Sequence, residues 1–136
     1  NGEYSNQNLQ KTIKKFKKKS LFFKAKYEPI NLKNFNLNKK YLMFSGIGNP
    51  HEFEKTLKKC KFKISRKILF PDHYKFNDRE ISEIKNIAKR NKLEIITTEK
   101  DFHRLKNSQK KSIKFLKVDL IIYNENRFKK LLLKRL

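Results

Sequence analysis

Apolar runs and amphipathic helical segments alternate along most of this chain, and this alternation limits the folds open to it. Residues 41–44 form a continuous apolar run, which is typical of a strand covered on both faces. Asn49 and Pro50 suit the cap and the first position of a following helix, since proline needs no amide partner there. The inward positions of that helix recur at helical spacing: Phe53, Leu57 and Cys60. The pattern predicts a buried strand and then a helix that packs on it.

The same order repeats after residue 60. Residues 61–70 predict a second strand whose apolar side chains share one face: Phe62, Ile64, Ile68 and Phe70. A second helix is expected to begin at Asn77, which has Glu80 in the capping-box position, and to end near Asn91. Its predicted inward positions are Ile81, Ile84, Ile87 and Ala88.

The last third of the chain predicts two more strands and two more helices. Residues 93–96 form the third strand, and Thr98 and Asp101 have capping-box spacing for a short helix through Leu105. A fourth strand is expected at residues 113–122, and Asn124 opens a C-terminal helix.

Strand-then-helix units in series predict parallel strands, right-handed crossovers and helices on both sheet faces. We therefore expect an α/β fold, a three-layer α/β/α sandwich with a mainly parallel sheet of about four strands. Residues 1–38 predict a basic N-terminal helix, a linker strand that ends at Glu28 and Pro29, and a packed connector. Residues 39–136 predict the α/β/α domain itself.

The chain is strongly basic, with 36 Lys and Arg against 13 Asp and Glu and a formal net charge of +23. Most of these residues are Lys, whereas specific readers of bases and phosphates favour the planar fork of Arg. Three interpretations stay open: a compositional bias toward surface Lys, a nucleic-acid-binding module, and attraction to an anionic membrane surface. No stretch approaches the ~18 apolar residues of a membrane span, so we expect a soluble intracellular fold.

Cysteine and glycine counts exclude two kinds of structure. Cys60 is the single cysteine, so no internal disulfide supports the fold. Glycines stand only at positions 2, 46 and 48, which excludes a Walker-type phosphate loop within this chain. Three His and one Cys show no metal-ligand spacing, and we expect no metal site made by this chain alone.

Distinctive residues follow each of the first three predicted strands. They are SGIGNP at 45–50, FPDHY at 70–74 and TTEKD at 97–101. Because parallel strands end at the same edge of a sheet, and ligands bind beyond that edge, we expect these motifs to line one cleft.

Each motif also has a purely structural explanation. Gly46 and Gly48 suit an anion site at a helix start, and equally a tight turn before a Pro-initiated helix, with Asn49 as its cap. A capping box accounts for Thr98 and Asp101. Their neighbours Glu99 and Lys100 have no such structural explanation.

Asp72 and His73 form the most chemically suggestive pair. A His beside a carboxylate at a strand end can act as a general base near neutral pH, or can orient a group that does. A turn residue bonded to the backbone is the structural alternative. His51 and His103 are expected to be surface residues on helices.

Together the motifs resemble the ordered signature of the tetraacyldisaccharide 4'-kinase family of lipid A biosynthesis. FSGIGNP at 44–50, FPDHY and TTEKD occur in the family's order and spacing. FKAKYEP at 23–29 is similar to the stretch that leads into the family's carboxyl-terminal domain. The resemblance covers residues 20–105 well and the ends loosely.

The resemblance implies an ATP- and Mg²⁺-dependent kinase at the cytoplasmic face of the bacterial inner membrane. Such a kinase phosphorylates the 4'-hydroxyl of a lipid A disaccharide precursor, tetraacyldisaccharide 1-phosphate, to give lipid IVA. It has two α/β/α domains, and this chain matches only the carboxyl-terminal, lid-like one. ATP and Mg²⁺ would be bound mainly by the missing N-terminal P-loop domain, so we expect the chain to be a fragment that is inactive alone.

Site roles follow from the same resemblance. The resemblance implies that the His of the PDH motif pairs with an Asp of the amino-terminal domain, and this role falls on His73, which we expect to be catalytic. The cleft-lining set is Gly46, Gly48, Asn49, Asp72, Thr98, Glu99, Lys100 and Asp101.

The basic segment 11–26 has two interpretations. It is expected either to meet anionic lipid, helped by an amphipathic helix with Leu9, Ile13 and Phe16, or to pack against the missing domain. A basic nucleic-acid-binding module is the rival class, and a lid retained only for interaction or regulation is a third. The affinity of a nucleic-acid-binding module for its ligand should fall steeply as salt is added, and it should be unchanged when His73 is replaced.

Overall fold

The structure is a computed structural model, which describes residues 11–13, 15 and 23–134. Contacts group the chain into two compact units, one of Asn1–Glu28 with Leu120–Leu136 and one of Pro29–Asp119. Of the predicted basic helix, residues 11–13 and 15 are helical, whereas Leu9 and Phe16 lie outside the described residues. The predicted boundary at residue 38 stays a prediction.

The larger unit is built on a four-stranded sheet with all neighbouring strands parallel. The strands are β2 (Lys40–Ser45), β3 (Lys63–Leu69), β4 (Glu94–Thr98) and β5 (Ile113–Leu116), and their spatial order is β3-β2-β4-β5. The helices are α1 (Pro50–Lys59), α2 (Asp78–Arg90), α3 (Glu99–Arg104) and α4 (Asn107–Lys110). A 3₁₀ turn at Leu32–Asn34 precedes the sheet. The predicted α/β class is confirmed.

Two hydrophobic cores lie on the two faces of this sheet. Alternate residues of β2 enter each core, because successive strand side chains point to opposite faces. Tyr41 and Met43 pack with the α1 side chains Phe53 and Leu57. Leu42 and Phe44 enter the other core with three buried side chains of α2: Ile81, Ile84 and Ala88. Helices therefore cover both faces, as the three-layer prediction requires.

The predicted helix starts are confirmed by their caps. Asn49 accepts a hydrogen bond from the Glu52 amide, with Pro50 in the first turn of α1. Asn77 and Glu80 form the reciprocal capping box of α2. The predicted connector is packed, since three of its side chains lie against the core under α1: Leu32, Phe35 and Leu37.

The expectation that the apolar side chains of the second strand share one face is wrong. Tyr41 pairs with Ile64, but its neighbour Leu42 pairs with Arg66, so the register shifts by one residue. Because side chains alternate with a period of two, this bulge turns the later part of the strand over. Phe62 and Ile64 accordingly pack in the α1 core, and Ile68 and Phe70 in the α2 core.

The expectation of a single strand over residues 113–122 is also wrong. The segment divides into β5 and β6 (Val118–Ile122), and β6 pairs with β1 (Ala25–Pro29) in a separate two-stranded sheet. Lys117 marks the division, because its amide donates to Asn31 Oδ1 (2.9 Å) and its carbonyl accepts from the Ile30 amide (3.0 Å). These bonds occupy the groups that would continue the ladder. β1 itself ends at Pro29, as the sequence predicts for the linker strand.

In the smaller unit, α5 (Glu125–Leu133) begins after Asn124 as predicted. Asn124 has a left-handed backbone (φ 59°), a conformation that Asn tolerates better than most residues. Within the described ranges, no helix combines the length and apolar character that crossing a membrane requires.

Candidate functional site

The three motifs lie at one edge of the sheet, as predicted. β3, β2 and β4 are adjacent and parallel, so their carboxyl ends meet. Backbone bonds join the first two loops directly: the Phe70 amide donates to Ser45 O (2.8 Å) and the His73 amide to Gly46 O (3.1 Å). The third loop joins through Asp101.

Asp101 lies in α3 and is completely buried. Its Oδ2 accepts hydrogen bonds from the Gly46 amide (3.0 Å) and from Thr98 Oγ1 (2.8 Å), and its own amide donates to Thr98 Oγ1 (3.1 Å). Its Oδ1 accepts from Arg104 Nη1 (3.2 Å). The predicted cap is therefore present, but the carboxylate also ties the end of β4 to the end of β2. Buried carboxylates need this degree of pairing to remain charged at low cost.

Gly46 is held by close packing as well as by hydrogen bonds. A Cβ at this position would lie 3.2 Å from Tyr74 Cβ and 3.3 Å from both Phe76 Cζ and Pro71 O. A side chain would push the first loop away from the second. Close approach of the two loops is thus the physical reason for glycine here.

His73 has a left-handed backbone, with φ 61°. This conformation is uncommon for residues other than glycine, and such strain concentrates at functional sites. Its amide donates to Gly46 O and to Asp72 Oδ1 (2.9 Å), so the turn itself is well anchored. The side chain is 72% exposed, and Nε2 lies 3.7 Å from Asp72 Oδ2. The backbone is fixed while the imidazole is presented to solvent.

Arg104 is the residue that sequence reasoning missed. Its Nη1 donates to Asp101 Oδ1 and to Gly46 O (3.1 Å), and its Nη2 lies 3.0 Å from His73 Nδ1. Two signals pointed to it: it is one of few Arg in a Lys-rich chain, and it stands three residues after Asp101, on the same helix face. The four residues Gly46, His73, Asp101 and Arg104 are called the strand-end cluster below.

The segment after His73 is fixed by a second network. Tyr74 Oη donates to Glu80 Oε1 (2.5 Å), and Glu80 Oε2 accepts from the Asn77 amide (3.0 Å). The bond from Tyr74 and the backbone bond from Asn77 lower the pKa of Glu80, and the same carboxylate raises the pKa of Tyr74. The turn that carries His73 is therefore pinned at both ends.

The other predicted residues lie around the cluster in different settings. Gly48 sits beside Asp72, whose Oδ2 would be 3.1 Å from an added Cβ. Asn49 is occupied as the cap of α1. Glu99 lies 3.9 Å from His103 Nε2, and Lys100 is exposed in the first turn of α3. The structure places Asp72 next to His73. Among the described residues, it shows no hydrogen bond or ion pair from the side chains of Glu99 and Lys100 to the strand-end cluster.

Two further observations concern bound groups. Among residues 11–13, 15 and 23–134, no group of three or more His, Cys, Asp or Glu side chains is arranged to hold a metal ion. Ser45 Oγ, at the end of β2, is buried and has no hydrogen-bond partner in the described part of the chain.

Comparisons with known proteins agree with the resemblance seen in the motifs. A family model described as "LpxK: Tetraacyldisaccharide-1-P 4'-kinase" matches residues 1–136. The tetraacyldisaccharide 4'-kinase of Pelagibacter ubique is 41% identical over 110 residues, which cover 81% of this chain and 35% of that protein. The Chelativorans sp. enzyme of the same name is 42% identical over 89 residues, covering 61% and 26%. This chain thus spans about a third of the first of these curated relatives.

A solved structure shares the fold. The "apo" form of LpxK from Aquifex aeolicus in complex with ATP aligns with a TM-score of 0.58 and 23% identity, over 89% of this chain and 40% of that one. Nothing in the comparisons favours the nucleic-acid-binding alternative. Since the family model matches the whole sequence, and the three motifs meet in one site, the chain belongs to the tetraacyldisaccharide-1-P 4'-kinase family.

Proposed function

We propose that this chain is the carboxyl-terminal, lid-like part of a kinase that phosphorylates the 4'-hydroxyl of a tetraacyldisaccharide 1-phosphate lipid A precursor, giving lipid IVA. Membership of the family supports the reaction class, and the strand-end cluster is the observation that supports a role in the chemistry. ATP is the proposed phosphate donor, because the related structure with the same fold is a complex with ATP. The phosphate-binding loop would belong to another domain, since this chain has no Walker-type loop.

His73 is the proposed catalytic residue of this part. Arg104 Nη2 can only donate, so the imidazole Nδ1 beside it must accept, and the neutral ring then carries its proton on Nε2. An Nε2–H suits a ring that donates to and orients a carboxylate. A carboxylate of the amino-terminal domain, held in this way, would receive the proton of the sugar hydroxyl as the phosphoryl group is transferred.

Mg²⁺ would supply charge neutralisation on the transferring phosphates. The described residues do not fit a metal site, because they bring together no cluster of carboxylate or imidazole ligands. We therefore propose that the metal is held by the amino-terminal domain, and that this chain contributes positioning. By itself the chain would bind no complete set of reactants and would be inactive.

The direct test is steady-state kinetics of the complete enzyme with ATP and the disaccharide precursor. His73→Ala should lower kcat by roughly 10²-fold or more and change KM little, which is the range for general acid–base groups. His51→Ala, at an exposed position in the first turn of α1, is the matched control and should leave kcat unchanged. An unaltered kcat in His73→Ala would refute the proposed role.

Peripheral attachment to the cytoplasmic face of the inner membrane is proposed as well. The support is the basic character of the chain, since residues 1–40 hold 11 Lys against two Glu. Sedimentation with anionic and with neutral vesicles tests it. Binding should require anionic lipid and weaken with salt, whereas equal recovery with neutral vesicles would contradict the proposal.

A further inference from the structure

We propose that Arg104 is a positioning residue, which holds the imidazole of His73 in one orientation with its proton on Nε2. The inference rests on the proposed function, because it assigns a second residue to the site where His73 acts. Two observations support it: Arg104 is held in place by the strand-end cluster, and the backbone of His73 is fixed while its ring is largely exposed.

Arg104 is itself held firmly. Its side chain is 22% exposed, and it pairs with Asp101, whose side chain is 0% exposed. Nη1 bridges Asp101 Oδ1 and Gly46 O, which belong to α3 and to the loop after β2. Because the guanidinium is planar, two acceptors on Nη1 also set the direction of Nη2. Nη2 is thereby aimed at His73 Nδ1, 3.0 Å away.

The imidazole of His73 has few other constraints. The backbone amide of His73 donates to Gly46 O and Asp72 Oδ1, and these bonds fix the backbone whether or not Arg104 is present. The ring, however, is largely exposed, and its other nitrogen is 3.7 Å from Asp72 Oδ2, beyond hydrogen-bond range. Nδ1 to Nη2 is thus the contact within hydrogen-bond range that the structure gives the ring. Its loss should free the ring to rotate and to exchange tautomers.

Lysine would not replace arginine in this arrangement. The three acceptors, which are Asp101 Oδ1, Gly46 O and His73 Nδ1, contact two different nitrogens of the guanidinium. A single Nζ provides charge for Asp101 but no planar fork to reach His73 at the same time. Arg104→Lys therefore keeps the positive charge beside Asp101 but loses the hydrogen bond that orients the His73 ring.

Nitrogen NMR of the 136-residue chain tests the assignment directly. Long-range ¹H–¹⁵N spectra at a pH where the ring is neutral should show a protonated Nε2 and an unprotonated Nδ1 for His73. In Arg104→Met and Arg104→Lys the two nitrogen shifts should move toward each other, as expected for exchanging tautomers. Arg79→Met, at an exposed position of α2, should leave them unchanged.

The wild-type spectrum decides the matter even if the variants fail to fold. A ring protonated on Nδ1, or one that already averages both tautomers, would overturn the inference. Retention of the wild-type shifts in a folded Arg104→Met would overturn it equally.

A double-mutant cycle in the complete enzyme separates positioning from a merely structural role. Arg104→Lys should lower kcat about tenfold with little change in KM. When His73→Ala is already present, adding Arg104→Lys should lower kcat by less than about twofold. If Arg104 only supported Asp101 and the fold, its loss would be as severe without His73, and the inference would fail. If His73→Ala leaves kcat unchanged while the NMR shows a fixed ring, the proposed function fails and the Arg104–His73 contact stands.

Discussion

Replacing Asp101 by Asn is the sharpest test of how the three loops are joined, because it changes one atom at a fully buried position. The carboxylate has only acceptor oxygens, and each of them faces donors: the Gly46 amide and Thr98 Oγ1 on one side, Arg104 Nη1 on the other. An amide has one acceptor and one donor end. In either orientation of the Asn side chain, its NH₂ group faces another N–H donor and cannot form a hydrogen bond with it.

The cost follows from the bonds that remain. The better orientation keeps the amide oxygen toward Gly46 and Thr98 and turns the NH₂ toward Arg104. One charge-assisted hydrogen bond is then lost, which corresponds to about 1.5–3 kcal/mol. Removal of the whole side chain in Asp101→Ala leaves a partly buried Arg unpaired and should cost about 3–5 kcal/mol, a large share of a typical domain's stability.

Urea unfolding of the 136-residue chain, followed by circular dichroism, measures these differences. A loss of about 2 kcal/mol lowers the midpoint by about 1 M for a typical urea slope. Asp78→Asn is the matched control. Its amide oxygen can keep the bond that Asp78 Oδ1 accepts from Gln109 Nε2 (2.8 Å), so only the pair of Oδ2 with Lys106 (2.7 Å) is lost, and both side chains of that pair are largely exposed. Exposed pairs contribute little, so its midpoint should be nearly that of the wild type. Equal midpoints for Asp101→Asn and the wild type would refute the account of the joined loops.

Three further changes have defined outcomes. Gly46→Ala should lower the unfolding free energy by about 1–3 kcal/mol through crowding against backbone and rings, whereas Gly48→Ala meets only the exposed Asp72 carboxylate and should cost much less; equal losses in urea would contradict this. Leu57→Ala removes a fully buried side chain and should cost about 2–5 kcal/mol in the same assay, with a smaller loss disproving its central place in the core. The pKa of Glu80 is lowered, so its ionised form stabilises the fold above its ordinary pKa of 4.5, and this stability is lost as the pH falls through the lowered pKa. The stability advantage of wild type over Glu80→Gln should therefore shrink under acid, and a constant difference between pH 6 and pH 3 (roughly the span of carboxylate titration) would exclude the mechanism.

The sequence was sufficient where the signal was local. Caps at Asn49, Asn77 and Thr98 could be read directly, because a cap involves residues three positions apart. The division of the last predicted strand could not be read this way. It depends on Asn31, more than 80 residues earlier, whose side chain bonds to the Lys117 amide.

The bulge in β3 illustrates the same limit. Alternating apolar residues predicted one face, since a period of two indicates a strand with one apolar side. The register shift appears only when β3 lies beside β2, where Tyr41 and Leu42 pair with residues two apart. The two parts of the strand then pack in different cores, so its apolar side chains do not share one face.

The sequence alone determined the alternation of strands and helices from β2 to α3, the sheet edge at which the motifs meet, and the family, because each of these is recorded in residue types and spacing. Only the tertiary structure decided what the site residues do together. Residue spacing explained Asp101 as a cap and gave Arg104 no role, but Arg104 contacts Gly46, 58 residues away in sequence, and also His73. Contacts of this kind come from the meeting of parallel strand ends, and no local pattern in the chain records which side chains will then face one another.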